Sequence, residues 1–332
     1  MILQMKRKQI SLLLLFALFC VGCGKTEAKE EVVPLGYTGS NSYEYYDVGN
    51  DRHADFLTGR GAEVSIPAGT ADDTVAARED YVYALYRQSD RKVLCEHGVT
   101  EQIYPASTTK LLTALIALKY CNISETVTIS YNASHIGIPG AMLCGFNEGD
   151  TIMLGDLLTA LLVYSGNDAG IAVAEHVAGS EEAFAELMNE EARKLGAVDT
   201  HFVNAHGLHK KDHYTTAYDI YLIMNELIHY NSFLSIVSMP SCEIHYTDKL
   251  GNPKVKTFTS SNLYFEGLFK APEGIEIVGG KTGTTGSAGC CLILYFKDEQ
   301  GVSYIAEVFH APTYEALYKK MTELMKQAAS YE

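Results

Sequence analysis

Cations are scarce in this chain. Its 332 residues carry 26 Lys and Arg against 41 Asp and Glu, a formal charge of −15. Polyanion binding needs clustered positive charge. There is no Lys/Arg-rich block outside the extreme N-terminus, so nucleic acid is not an expected partner. Long apolar runs are missing too. The longest, Ile10 to Val21, has 12 residues, short of the roughly 20 that a helix needs to cross a bilayer. Past Cys23 no CxxC pair occurs, and the cysteine spacing is irregular. A disulfide framework belongs to domains too small to build a core, which this chain is not. Cys95, Cys121, Cys144, Cys242, Cys290 and Cys291 are therefore expected to be mostly buried free thiols. Cys290 and Cys291, adjacent in a strand, should face opposite ways. No internal repeat is present, which excludes a solenoid. What remains, 47% hydrophobic and 20% charged residues, is a globular composition.

The N-terminus reads as an export signal. Lys6, Arg7 and Lys8 precede the apolar run, which has the length of a signal h-region. The run ends in Cys20-Val21-Gly22-Cys23 and resembles a bacterial lipobox, in which a small residue precedes a lipidated cysteine. Cys20 stands where that pattern prefers leucine. Lipidation of Cys23 is the expectation, with ordinary signal cleavage as the alternative. Loss of residues 1–22 removes three cations and no acids, which takes −15 to −18. Residues 23–79 are polar, punctuated by glycine and proline, and without period, as a tether is. The expected location is the outer face of the cytoplasmic membrane, held there by lipid.

Periodic sequence begins near Asp80. Tyr81 to Tyr86 and Lys92 to Cys95 read as a strand hairpin. Ser107 to Tyr120, Met153 to Tyr164, Ala169 to Ala178 and Glu181 to Leu195 read as helices. Thr216 caps another, with Asp219 at the capping-box position. Glu243 to Phe258 alternates around a Gly251-Asn252 turn. Ile275 to Lys281, Cys290 to Phe296 and Val302 to Phe309 read as strands, and Pro312 opens a final helix. With strands at both ends and helices between, the fold class is α/β of the α+β type. One antiparallel sheet of about five strands is built from both ends of the domain and flanked by helices, with an inserted helical subdomain.

Three motifs carry chemistry. Ser107 and Lys110 are three apart on a helix and share a face. A serine needs a base to become a nucleophile, and a lysine is a base once burial or a neighbouring cation lowers its pKa. Lys281 could be that cation. Ser165-Gly166-Asn167 forms a corner between two apolar helices. Opposite Ser107, its hydroxyl would relay a proton and its amide would hold a substrate amide. Lys281-Thr282-Gly283-Thr284 ends a strand, where an ammonium and a hydroxyl could grip a carboxylate and a glycine-rich edge could pair with a peptide. Each motif alone has a plain structural reading: a helix cap, a buried corner, a turn.

Taken in order, the set resembles the penicillin-recognising serine enzymes. The flanks Tyr104-Pro105-Ala106-Ser107-Thr108-Thr109-Lys110, Tyr164-Ser165-Gly166-Asn167-Asp168-Ala169 and Phe202-Val203-Asn204-Ala205-His206-Gly207-Leu208 are similar to those of the low-mass serine-type D-Ala-D-Ala carboxypeptidases. The resemblance covers about residues 80–330 and implies a single serine DD-peptidase domain, residues 80–332, of β-lactamase/transpeptidase-like fold. It implies Ser107 as nucleophile, Lys110 as base and Ser165 as proton relay. Asn167, Lys281, Thr282, Gly283 and Thr284 would bind substrate, with the Ser107 and Thr284 N–H groups forming an oxyanion hole. The implied substrate is a peptidoglycan stem peptide ending in D-Ala-D-Ala, with β-lactams as inhibitors and no cofactor or metal. The segment His310-Ala311-Pro312-Thr313-Tyr314 lacks the arginine that members often place there. The C-terminal β-rich domain of many members is not expected after the last helix.

Three rival readings are open to test. A class A-like β-lactamase would want Glu-x-x-Leu-Asn, and the nearest string is Glu186-Leu187-Met188-Asn189. A zinc peptidase would use His201, His206, His209 and His213, but no spaced acid completes a ligand set, and His201, His209 and His213 read as solvated loop residues. A non-catalytic wall-peptide or β-lactam binder is the third alternative. The string Asn262 to Gly267, similar to a protease-tag site, reads as a native loop before the Lys-Thr-Gly strand.

Overall fold

The computed structural model describes residues 81–330. The export signal, Cys23 and the expected tether lie outside the described residues.

A β-hairpin opens the fold, with β1 at Val82–Arg87 and β2 at Lys92–His97. Three more long strands close it: β7 at Glu276–Thr285, β8 at Gly289–Lys297 and β9 at Ser303–Ala311. Together they form one antiparallel sheet in the order β2-β1-β9-β8-β7. The first and last strands of the described region thus meet as the β1–β9 pair, and β7 is left as an edge strand. The period-2 alternation of these strands has a direct consequence. Cys290, Leu292, Leu294 and Phe296 pack on one face with the last helix, α8 (Tyr314–Ala328). Cys291 and Ile293 point to the other face, into the larger core of the intervening helices. The adjacent cysteines therefore do face opposite cores. All six cysteines of the described region are free, four of them buried, with Cys95 and Cys121 half-buried.

The intervening helices are α1 (Thr109–Tyr120), α2 (Tyr131–Ser134), α3 (Leu154–Thr159), α4 (Asn167–Ala178), α5 (Glu181–Lys194), α6 (Ala217–Leu227) and α7 (Asn231–Val237). The Thr216 hydroxyl accepts from Asp219 N at 3.1 Å and caps α6. The Asp219 carboxylate turns to Asp199 N instead of closing the box. α8 begins two residues after Pro312, capped by the Thr313 hydroxyl.

Two features depart from the sequence expectation. A second antiparallel sheet, β3-β4-β5-β6, lies within the inserted region. Its strands are Thr126–Thr128, Thr151–Met153, Ser241–Thr247 and Pro253–Thr259, so the Gly251-Asn252 hairpin belongs here. Strands of three residues are too short to show a period, which hides this sheet in the sequence. Met153 closes β4, the helix beginning at Leu154 is short, and Ala160–Tyr164 continues it as a π-helical turn. No helix among the described residues is long and apolar enough to cross a membrane.

Candidate active site

Ala106–Thr108 is a 3₁₀ turn that runs into α1. Hydroxyls hold it: Thr108 Oγ1 donates to Pro105 O at 2.7 Å and Thr109 Oγ1 to Ala106 O at 2.8 Å. Ala106 sits at φ +48°, a left-handed conformation that costs a residue with a Cβ about 1–2 kcal/mol. The next residue, Ser107, is half-buried. One helical turn on, Lys110 is fully buried. Its Nζ lies 2.8 Å from Ser107 Oγ, 2.8 Å from Asn167 Oδ1 and 2.7 Å from His206 O. Two of those three neighbours can only accept. A neutral amine satisfies them with its two N–H bonds and turns its lone pair to the Ser107 hydroxyl. Burial holds the Lys110 pKa well below the usual lysine range, and the charge of Lys281 adds to this. The cationic neighbour expected from the sequence is thus the second cause, after desolvation.

The π turn after α3 ends at Ser165, again left-handed at φ +75°. Its hydroxyl accepts from Lys281 Nζ at 3.0 Å. Asn167 opens α4. Its backbone N and its Nδ2 both donate to Met142 O, at 2.8 and 3.0 Å. That assigns the amide orientation and aims Oδ1 at Lys110. Asp168 accepts from Cys144 N and Gly145 N, at 2.9 and 2.8 Å, and so ties the loop that carries Met142 to the head of α4.

On β7, Lys281 is buried and its pKa is pushed down to about 7 by desolvation. Besides Ser165 it donates to Thr282 O at 3.0 Å. Thr282 Oγ1 is 2.6 Å from Ser261 Oγ. A Cβ on Gly283 would lie 2.9 Å from Ser107 N, so the strand can run against the Ser107 amide only without a side chain there. Thr284 is exposed, and its hydroxyl lies 2.9 Å from Tyr314 OH. The five residues Ser107, Lys110, Ser165, Asn167 and Lys281 are thus joined by hydrogen bonds into two groups. Thr282, Gly283 and Thr284 lie alongside on an edge strand.

Several supporting residues escaped the sequence. Asn204 Oδ1 accepts from His206 N and Gly207 N, at 3.2 and 2.6 Å, and shapes the turn whose His206 carbonyl meets Lys110. Gly207, at φ +84°, packs so closely that a Cβ would come within 1.8 Å of Ala106 O. The Asn-Ala-His-Gly string was the visible signal of this turn, although its role was not. Ser261, Met142 and Tyr314 left no signal, because each acts through one hydroxyl or carbonyl.

The four histidines do not gather. His206 is buried with Nε2 3.4 Å from Glu181, and burial lowers its pKa. His213 is a correction: the sequence placed it in a solvated loop, but it is buried with a pKa near 3. Its Nδ1 accepts from Val203 N, which leaves Nε2–H to donate to Thr109 Oγ1 at 2.8 Å. It braces the Ser107 turn. His201 bonds Asp212 O and exposed His209 packs edge-on to Tyr104. Glu186 lies exposed on α5, and Asn189 is spent on the backbone of Ala185 and Phe202. The Asn262–Gly267 loop is integral, with Tyr264 OH 2.8 Å from Thr322 Oγ1.

Residues 70–313 match the family model for D-alanyl-D-alanine carboxypeptidase. The chain is 32% identical over 259 residues to the D-alanyl-D-alanine carboxypeptidase DacF of Bacillus subtilis, covering 76% of this chain and 63% of that protein. It is 33% identical to DacC of Escherichia coli, covering 71% and 56%. The chain therefore spans somewhat over half the length of these relatives. The crystal structure of a Streptomyces DD-transpeptidase shares the fold, with a TM-score of 0.69 at 23% identity over 75% of this chain and 96% of the other. A penicillin-binding protein homologue from Mycobacterium tuberculosis does so with a TM-score of 0.66 at 22% identity, over 76% and 91%. The fold is that of the DD-peptidase and β-lactamase group, and the chain belongs to the D-alanyl-D-alanine carboxypeptidase family of serine peptidases.

Proposed function

We propose that this protein removes the terminal D-alanine from peptidoglycan stem peptides through an ester on Ser107, and that penicillins trap the same serine. The observation that carries the reading is Lys110 Nζ at 2.8 Å from Ser107 Oγ, fully buried, with its other two neighbours both acceptors. As the Ser107 oxygen bonds to the carbonyl carbon between the two D-alanines, its proton passes to Lys110. The oxyanion takes hydrogen bonds from the Ser107 and Thr284 N–H groups. As the carbon–nitrogen bond breaks, Lys110 passes that proton on through Ser165, which is bonded to Lys281, to the nitrogen of the departing D-alanine. Lys281 has two acceptors in the protein, which leaves an N–H of its ammonium for the substrate carboxylate beside Thr282. Asn167 orients the substrate amide. Water then cleaves the ester and restores the serine, and no cofactor enters. The partner at the surface is the cell-wall peptide. A lipid on Cys23, beyond the export signal, would hold the domain at the outer face of the membrane.

The test is D-alanine release from a synthetic stem peptide, with penicillin labelling in parallel. Wild type should do both. Ser107→Ala should lose labelling and retain only background release. Equal release by the two proteins would refute the reading.

A further inference from the structure

The two helices that begin at the candidate site also meet at their far ends. Lys110 near the start of α1 and Asn167 at the start of α4 are 2.8 Å apart. At the other ends stand Cys121, the residue after α1, and His176, in the last turn of α4. Between them rises Glu125, from the loop that leads into β3. One donor atom of each of the three lies within 4.8 Å of the other two. This cluster is separate from the candidate active site. Cys121 is eleven residues from Lys110, which is about 16 Å along a helix.

The geometry points to a site for a borderline-soft divalent metal ion of the zinc class, held by Cys121 Sγ, a Glu125 carboxylate oxygen and His176 Nε2. Thiolate, imidazole and carboxylate are the donors zinc takes. Tetrahedral bonds of about 2.0–2.3 Å place ligand atoms about 3.4–3.8 Å apart, so the cluster needs adjustments of about an ångström. His176 Nε2 and Glu125 Oε2, now 2.8 Å apart, would open slightly to admit the ion. The mounts are firm. The Cys121 amide bonds Ala117 O, the other Glu125 oxygen accepts from Asn122 N at 2.6 Å, and Gly179 closes α4 with its N–H on Glu175 O. His176 and Glu125 keep 21% and 43% of their side-chain surface exposed, which leaves a path for the ion and room for a water as fourth ligand.

Electrostatics favour a cation here. The C-terminal ends of α1 and α4 converge on the cluster, and each helix end carries partial negative charge. Glu125 adds a full one, and Glu175 stands one residue from His176. The nearby lysine, Lys119, is engaged by Glu191. Burial and the charge of Glu125 raise the pKa of the Cys121 thiol. A bound dication would reverse that, and the thiol would release its proton as the metal–sulfur bond forms. The ion would staple α1 to α4 at the end opposite Ser107, so its effect falls on stability and not on the acyl-transfer step.

The experiment uses the full chain, stripped by a chelator and titrated with Zn²⁺. The expected results are binding of one ion per chain, a melting temperature raised by a few degrees, and a thiolate-to-metal charge-transfer band when Co²⁺ replaces Zn²⁺. Cys121→Ser and His176→Gln should each weaken binding at least about tenfold, and Cys121→Ser should abolish the band. Glu125→Gln, the mildest change, guards against misfolding in the other two. Ser107→Ala should bind zinc like wild type, so failure of the proposed activity leaves this result standing. No binding by the wild type, a band that survives Cys121→Ser, or binding lost in a His201→Gln/His209→Gln variant would each overturn the site.

Discussion

The candidate active site and the middle of the five-stranded sheet both bury ionisable groups, and they are built differently. At the candidate active site, Lys110 meets three oxygens and Lys281 meets two. In the middle of the five-stranded sheet, Glu307 on β9 accepts one bond, from Tyr86 OH at 3.0 Å, and its Oε2 has no partner. Burial acts alike on both. It drives the lysine pKa values down and that of Glu307 well up, so each group is pushed towards its neutral form. The outcome differs because neutral Lys110 has its lone pair directed at a half-exposed hydroxyl, whereas neutral Glu307 faces a tyrosine and apolar side chains. A perturbed pKa marks a candidate, and only the surrounding donors and acceptors separate chemistry from packing.

The largest test of this contrast is removal of the amine. Lys110→Met keeps the length of the side chain and removes the base. Acylation by penicillin should fall by about 10²–10⁴-fold, while the fold, judged by circular dichroism, persists. Acylation at the wild-type rate would put the base elsewhere. The pH dependence sharpens the same point. The two lysines titrate as a coupled pair. kcat/KM should rise with pH as Lys110 gives up its proton, then fall as Lys281, near 7, loses its charge. A bound carboxylate favours the ammonium, so the falling limb of kcat should lie at higher pH than that of kcat/KM. Arginine keeps its proton at these pH values, so any Lys281→Arg activity should lack the falling limb. A limb that stays in place would reassign it.

On the sheet side, Tyr86→Phe deletes the donor and leaves the carboxyl of Glu307 without a partner. The cost should be about 1–3 kcal/mol by urea denaturation, with acylation unchanged. A loss of acylation would mean that the two buried regions are coupled through the shared core.

The same contrast explains what the sequence disclosed. Ser107, Lys110, Ser165, Asn167 and Lys281 were legible because side-chain chemistry at fixed spacing is written in residue types. The five-stranded sheet was legible from period-2 runs at both ends of the domain. The second sheet was not, since β3 and β4 are three residues each. The π turn and the left-handed Ala106 and Ser165 were not either, because tertiary packing imposes those conformations on residues that do not prefer them. His206 contributes a carbonyl to Lys110, and any residue type can supply a carbonyl. Glu307 reads as an ordinary charge among apolar neighbours, yet its neutral state depends on a partner 221 positions away.

Glu307→Gln is the smallest change and separates the two environments most cleanly. The unfolded chain ionises this glutamate near pH 4.3, while the folded protein holds its proton to higher pH because burial disfavours the carboxylate. Between those two pKa values the native state binds the extra proton, so wild-type stability falls as pH rises through that window. Glutamine has the same shape, still accepts from Tyr86, and cannot ionise. Below pH 4 the two proteins should have similar stability, within about 1 kcal/mol. As pH rises to 8 the variant should become progressively more stable than wild type. Urea midpoints at pH 4, 6 and 8 measure the difference. A difference that stays constant with pH would mean that Glu307 is charged in the folded state, and that burial at the sheet does not neutralise it as it does the lysines.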